Sequence, residues 1–247
     1  LNEILRRAYR IDSRDVDLHG LCRPSSLLGM MQELATEHSA LLGISRDVML
    51  ERYNSVWLVV RSWYRLDQPI RYEQTLTIDT WTRGVTGAVS YRDFDLIVDG
   101  QRVGEAVTSW VLADIDTRAI GRMSKMPEVV GVAVPETVKT VKLAKPAVPG
   151  ELRQLTTRRV QYSDTDINGH MNNTRYVDVA CDAVGFETMK GQYLAEVQVN
   201  YSRECFAGDT LQILGASEPE NSRFFVRGAD ADGTSHFDTV LRFQKIP

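Results

Sequence analysis

Cysteine is scarce in this chain. There are three, Cys22, Cys181 and Cys205, an odd number with no CxxC spacing. That excludes a disulfide framework and a cysteine-based zinc site, and it points to a reducing compartment. Long apolar runs are missing too, because charges interrupt every hydrophobic stretch before it reaches the length of a membrane span. The opening residues, Leu1-Asn2-Glu3-Ile4-Leu5-Arg6-Arg7, are too polar for a signal-peptide core. A cytoplasmic protein with no membrane partner is therefore expected. There is no excess of positive charge, since the net charge is -4, so nothing argues for nucleic acid. No metal, nucleotide or flavin motif is present, and no cofactor is expected. What remains, 43% hydrophobic and 25% charged residues, is the balance of a soluble globular protein. Its 247 residues leave room for one large or two small domains.

The chain repeats itself. Asp15-Val16-Asp17-Leu18-His19-Gly20 returns 149 residues later as Asp164-Thr165-Asp166-Ile167-Asn168-Gly169. A strand-like run precedes each copy and a helix-like run follows it. In the first copy Pro24 marks a helix start and Gly43 its stop, with Leu27, Leu28, Met30, Met31, Leu34, Ala35, Leu41 and Leu42 spaced for a largely buried helix. In the second, Tyr176, Val177, Ala180, Ala183 and Val184 form the apolar face. Strands are predicted after each helix, over 55–66, 74–82, 88–98 and 104–115, then over 195–203, 210–216, 223–229 and 235–244. Asp99-Gly100 and Asp232-Gly233 occupy the same hairpin place in the two halves. Each half thus reads as strand, helix and antiparallel meander. The boundaries expected are a first domain over 1–130, a linker over 131–150 and a second domain over 151–247. Pro135, Pro146 and Pro149 break regular structure in the linker, and Lys139, Lys142 and Lys145 solvate it.

Polar residues concentrate in the second copy. If the segment were extended, Asp166, Asn168 and His170 would share one face, and such a cluster is costly to bury unless its members are paired. Turn chemistry explains part of the same Asn, Asp and Gly content. The repeat supplies an internal comparison. Opposite Asn168, His170, Asn172 and Asn173 the first half has His19, Leu21, Arg23 and Pro24, and opposite Glu204 it has Pro69; only the carboxylate persists, as Asp17. One site, on the second half, is expected, with the first half a degenerate copy that keeps the scaffold.

Asp166-x-Asn168-x-His170-x-Asn172-Asn173 resembles the active-site segment of the acyl-acyl-carrier-protein thioesterases. Tyr201-Ser202-Arg203-Glu204-Cys205 resembles that family's second motif, and Val56–Arg61, Ile78–Trp81, Thr108–Leu112, Asp116–Arg118 and Lys125–Glu128 resemble its amino-terminal half, in the family's order. The resemblance implies an α+β tandem (double) hot-dog fold, each half a long helix wrapped by a curved antiparallel sheet. It also implies hydrolysis of a fatty acyl thioester carried by acyl carrier protein, with the first half supplying acyl-pocket walls.

A thioester is already electrophilic and its leaving thiol has a pKa of about 8.5, so the site needs mainly an activated nucleophile and an oxyanion stabiliser. In the favoured scheme Glu204 deprotonates a water. Asn168 orients the water or the carbonyl, His170 polarises the thioester or protonates the leaving thiolate, and Asp166 orients His170. Backbone N–H groups of Gly169 and His170, at the start of the following helix, hold the oxyanion. Asn172, Asn173 and Cys205 support the site. Two rivals stay open: Asp166 as a nucleophile forming an anhydride, and a papain-like set of Cys205, His170 and Asn168. On a regular strand Glu204 and Cys205 point to opposite faces, and Glu204 is the one favoured to face the site.

Met30, Met31, Leu34 and Trp57 are candidates to line the acyl pocket, while core or sheet packing is the default for Trp57, Trp63, Trp81 and Trp110. His38 reads as a boundary residue and His236 as an exposed one. Arg118, Arg122 and Lys125 either meet an acidic carrier protein or belong to a solvated loop. An acyl-CoA thioesterase, a hot-dog hydratase or dehydratase, and a non-catalytic acyl-binding module are the competing functions. A monomer or a homodimer fits equally.

Overall fold

The computed structural model describes residues 4–132 and 141–247. Among the described residues ten strands form one antiparallel sheet. In chain order they are β1 (Leu5–Arg10), β2 (Ser55–Leu66), β3 (Thr75–Thr86), β4 (Val89–Val98), β5 (Gln101–Asp114), β6 (Arg153–Arg159), β7 (Gln192–Tyr201), β8 (Thr210–Glu218), β9 (Arg223–Ala229) and β10 (Ser235–Lys245). The spatial order is β1-β3-β4-β5-β2-β7-β10-β9-β8-β6, so the second half repeats the first in mirror sequence. The halves join at β2 and β7, where Arg61 pairs with Asn200, Trp63 with Gln198 and Arg65 with Glu196. Trp63 and Gln198 hold the same place in the two repeats. A local two-fold axis therefore passes through their pair, and one chain makes the contact that two identical subunits would make across a symmetric interface.

Two helices carry the apolar stripes that the sheet encloses. The long one, α1 (Pro24–Leu41), opens on Pro24, whose fixed φ suits the first helical position, and buries Leu27, Leu28, Met31, Leu34 and Ala35. Beyond it α2 (Arg46–Tyr53) starts on the Ser45 hydroxyl, which accepts from the Val48 N–H. A short α3 (Pro127–Val130) follows β5. In the second half α4 (Arg175–Val184) buries Tyr176, Val177, Val179 and Ala180 and stops at Gly185, and α5 (Phe186–Met189) leads into β7. Side chains of α1, α4 and the inner faces of both half-sheets form one continuous core. A separate cluster of Ile44, Met49, Leu112, Met123, Met126 and Val129 holds α2 and α3 against the outer part of the first half.

Several expectations change. His38 is not a boundary residue: it is fully buried, and its Nδ1 accepts from the Arg92 guanidinium at 2.7 Å. Arg92 is buried with it, and also donates to Ser39 Oγ at 3.1 Å and Thr80 Oγ1 at 3.4 Å. His236 is not exposed; its side chain keeps only 12% of its surface. The strand expected over 195–203 ends at Tyr201, because the N–H groups of Ser202 and Arg203 both turn to the carbonyl of His236. Glu204 and Cys205 therefore lie beyond the strand. Within the expected linker, Pro135 and Lys139 fall outside the described residues. Its second part is more than a solvated connector: Leu143 is buried against Trp63 and Val107, the Ala144 carbonyl accepts from Gln198 Nε2 at 2.7 Å, and Lys145 lies 3.5 Å from the buried Asp238. This strap covers the outside of the β2–β7 join.

Candidate active site

Between Thr165 and Met171, which pair as an isolated bridge, the chain makes a tight turn. The Asp166 N–H donates to the His170 carbonyl at 3.1 Å and the Gly169 N–H to the Asp166 carbonyl at 3.0 Å. Gly169 has φ +80°, a conformation that only glycine adopts without strain. The segment is thus folded rather than extended, and the shared face expected of Asp166, Asn168 and His170 does not form. Asp166 turns inward instead. Its Oδ1 accepts from the Asn168 N–H at 2.8 Å and its Oδ2 from Asn172 Nδ2 at 3.2 Å. Asn168 is exposed at the tip with Gly169. Asn172 Oδ1 accepts from the N–H and hydroxyl of Thr174, at 3.0 and 2.8 Å, and sets the entry to α4. The carbonyl of Asn173 accepts from the Tyr201 hydroxyl at 3.1 Å.

The first half contains the same turn. Asp17 Oδ1 accepts from the N–H groups of His19 and Leu21 at 2.8 and 3.0 Å, and Gly20 has φ +70°. The Cys22 N–H donates to the Ile70 carbonyl as the Met171 N–H donates to that of Cys205. Carboxylate and glycine recur because the turn needs them. Leu21 and Pro69 stand where the second half has His170 and Glu204, so only the second turn brings a histidine to a carboxylate from the other motif.

The stitch between Met171 and Cys205 brings the two motifs together. His170 Nε2 lies 3.6 Å from Glu204 Oε1, and the two side chains are 19% and 31% exposed. The His170 ring stands edge-on to Phe206. Arg118, in the turn after β5 of the first half, places Nη1 3.4 Å from the same carboxylate oxygen. From sequence, Arg118 belongs to a run that resembles the family's amino-terminal half, and its side chain reads as a carrier contact or part of a solvated loop. Its backbone sits at φ +58°, an uncommon state for a residue with a side chain and one that often marks a functional position.

The helix start expected at Gly169 and His170 is not there. The Gly169 N–H is spent inside the turn, and α4 begins only at Arg175. Cys205 is fully buried. Burial pushes its thiol up to about 11, and its partners are the Tyr176 hydroxyl and, at 3.3 Å, His236 Nδ1. The papain-like set of Cys205, His170 and Asn168 therefore lacks both a thiolate and an exposed nucleophile.

Beside Asn173, Thr174 and Tyr201 opens a cleft between α1 and the sheet, walled by Met31, Ala35, Val59, Phe94 and Trp110. Its free space holds little more than one water molecule. Met31 is the one acyl-pocket candidate that lines it. Leu34 is core, and Met30 is half-buried, its carbonyl accepting from the Tyr9 hydroxyl. Trp57 packs on the outer cluster with its indole N–H on the Ile44 carbonyl at 2.9 Å. Among the described residues no group of three or more His, Cys, Asp or Glu is placed to hold a metal ion, and no helix is long and apolar enough to cross a membrane.

Comparison with known proteins bears on the family and the fold. Residues 2–130 match the family model for the acyl-ACP thioesterase N-terminal domain, and residues 151–231 that for its C-terminal domain. A dodecanoyl-[acyl-carrier-protein] hydrolase, chloroplastic, from Cinnamomum camphora is 27% identical over 85% of this chain and 59% of its own length. The oleoyl-acyl carrier protein thioesterase 2, chloroplastic, of Arabidopsis thaliana is 24% identical over 87% of this chain and 64% of its own. The chain thus spans about three-fifths of the length of these curated relatives. In structure it resembles an acyl-ACP thioesterase from Bacteroides thetaiotaomicron, with a TM-score of 0.89 at 23% identity over 98% of both chains. It also resembles the 12:0-ACP thioesterase from Umbellularia californica, with a TM-score of 0.80 at 18% identity over 99% of this chain and 98% of the other. The fold is the expected tandem hot dog, and with both of its halves matched the chain belongs to the acyl-ACP thioesterase family.

Proposed function

We propose that the protein hydrolyses fatty acyl-acyl-carrier-protein to the free fatty acid and the carrier thiol, using water activated by Glu204. The observation that carries this reading is the convergence of His170 and Arg118 on Glu204 Oε1 at the two family motifs, with His170 and Glu204 each three residues along the chain from a residue of the cleft wall, Asn173 and Tyr201. His170 Nε2 and Glu204 Oε1 stand 3.6 Å apart, too far for a direct hydrogen bond and near enough for both to reach one water lying beside them. Glu204 takes a proton from that water, and the oxygen adds to the thioester carbonyl carbon. The tetrahedral oxyanion accepts from the His170 ring N–H and from Asn168 at the turn tip. Collapse breaks the C–S bond, and the proton held by Glu204 passes to the departing thiolate. Asp166 keeps the turn that presents Asn168 and His170, with both oxygens already engaged, which disfavours it as a nucleophile.

The acyl chain enters the cleft along α1, and its walls move apart to admit it. Pairing of the two halves through β2 and β7 supports a monomer. Three free cysteines support a reducing compartment; since the plant relatives are chloroplastic by name, that wider statement replaces the cytoplasm.

Free-thiol release from acyl-carrier-protein thioesters and the matching acyl-CoAs tests the proposal. Release from the carrier thioester that collapses in Glu204→Ala and survives in Cys205→Ala is expected. Wild-type protein that releases thiol from no substrate overturns the hydrolase reading. Release from CoA esters alone overturns the carrier, and loss confined to Cys205→Ala overturns the carboxylate mechanism.

A further inference from the structure

Against the main chain of Glu204 lies a second histidine and carboxylate that the mechanism above does not use. His236 Nδ1 is 3.1 Å from the carbonyl oxygen of Glu204 and 3.3 Å from Cys205 Sγ, and its Nε2 is 3.6 Å from Asp230 Oδ2. A carbonyl oxygen can only accept, so Nδ1 carries a hydrogen and donates to it; the Asp230 carboxylate also only accepts, so the ring that Asp230 aims is the imidazolium, with a hydrogen on Nε2 as well. The thiol therefore cannot hand its proton to Nδ1, and the Cys205–His236–Asp230 array is not a nucleophile and its base. The main chain of His236 holds the same segment a second time: its carbonyl accepts from the N–H groups of Ser202 and Arg203, at 2.8 and 3.0 Å. Asp230 is fixed in its own turn, its Oδ1 accepting from the N–H groups of Asp232 and Thr234 at 3.1 and 2.9 Å.

We infer that His236, aimed by Asp230, is a positioning residue that clamps the Arg203–Glu204–Cys205 segment and so fixes where the Glu204 carboxylate stands. The segment needs such a clamp. β7 has ended at Tyr201, no ladder holds Glu204, and a carboxylate that must meet a water and a carbonyl carbon loses rate steeply when displaced by an ångström. The first half supplies a contrast: Pro69, at the place of Glu204, lies where nothing has to be aimed. This inference rests on Glu204 as the base.

The test is steady-state thiol release, with thermal melts, for wild type, His236→Ala, His236→Asn and Asp230→Asn. An asparagine amide can reach the Glu204 carbonyl with an N–H as Nδ1 does. The expected result is a fall in kcat of about 100-fold in His236→Ala with KM within about twofold, recovery to within about tenfold in His236→Asn, and an intermediate loss in Asp230→Asn. Should His236→Ala not fold, the His236→Asn and Asp230→Asn pair decides by the same ranking. Unchanged kcat in folded His236→Ala, or equal losses in His236→Ala and His236→Asn, overturns the clamp while leaving Glu204 as base. Full activity in Glu204→Ala, measured alongside, overturns the base itself and the clamp with it.

Discussion

Arg118 Nη1 lies 3.4 Å from Glu204 Oε1, across the boundary between the two halves of the chain. This is the first half's direct contribution to a site otherwise built by the second. The turn that delivers it is held by Asp114, whose Oδ1 accepts from the N–H of Asp116 and from the N–H and hydroxyl of Thr117. The guanidinium is largely exposed, so as a surface ion pair it contributes little to folding, about 1 kcal/mol at most. Its value lies in holding a carboxylate in place. The backbone at φ +58° separates the two effects. Arg118→Gly removes the charge and relieves a conformation costing about 1 kcal/mol or more, while glycine's own entropy offsets part of the gain. The expected outcome is a melting temperature no lower than wild type with kcat reduced about tenfold. Lys at 118 restores part of the rate. A Gly variant with full kcat would remove Arg118 from the site.

The two Asp turns allow structure and chemistry to be told apart by a matched pair of substitutions. Asp17→Ala and Asp166→Ala each remove a carboxylate that caps two donors, and each should cost about 1–2 kcal/mol. Urea unfolding reads that cost. Only Asp166→Ala should also lose thiol release, because only its turn presents Asn168 and His170. Equal activity losses in the two variants would mean that the effect is general destabilisation.

Acyl selection should respond to Ala35, which faces the cleft from α1 and is 3% exposed. The cleft has little room, so a phenyl ring there fills the path an extended chain would take. Ala35→Phe is expected to cost about 1–3 kcal/mol through overpacking and to shift kcat/KM toward shorter acyl chains. A panel of thioesters of increasing length checks this. A uniform loss at all lengths would place the chain elsewhere.

Local chemistry is readable in the sequence. The paired Asp–Gly turns, the Pro24 start of α1 and the hairpins at Asp99-Gly100 and Asp232-Gly233 depend on a few neighbouring residues, and each forms. What sequence reading misses depends on partners far along the chain. Arg118 meets Glu204 86 residues away, and His38 meets Arg92 54 residues away. No periodicity in a single helix or loop signals either contact. His236 stands at an ordinary strand start; its role depends on the chain leaving β7 after Tyr201 and turning the Glu204 segment toward it. The extended reading of Asp166, Asn168 and His170 fails for a local reason. Gly169 at positive φ and the inward Asp166 carboxylate favour a turn over alternation.

Burial of thiols contributes to the loss of stability at alkaline pH. Cys205 is raised from 9.0 to about 11 and Cys22 from 9.0 to about 12, each chiefly by desolvation. Between pH 9 and 11 the unfolded chain has lost the Cys205 proton and the folded chain still holds it. The folded state then binds more protons, so stability falls as pH rises through this window, and the full contribution is present below about pH 9. Holding the Cys205 proton over that interval is worth on the order of 2–3 kcal/mol. Urea midpoints for wild type should therefore drop between about pH 8.5 and about pH 11. In Cys205→Ala the midpoint starts lower, from the lost packing, but declines less over the same range, because one of the titrating groups is gone. Parallel declines in the two proteins would show that Cys205 is not buried as a neutral thiol, and would reopen it as a nucleophile.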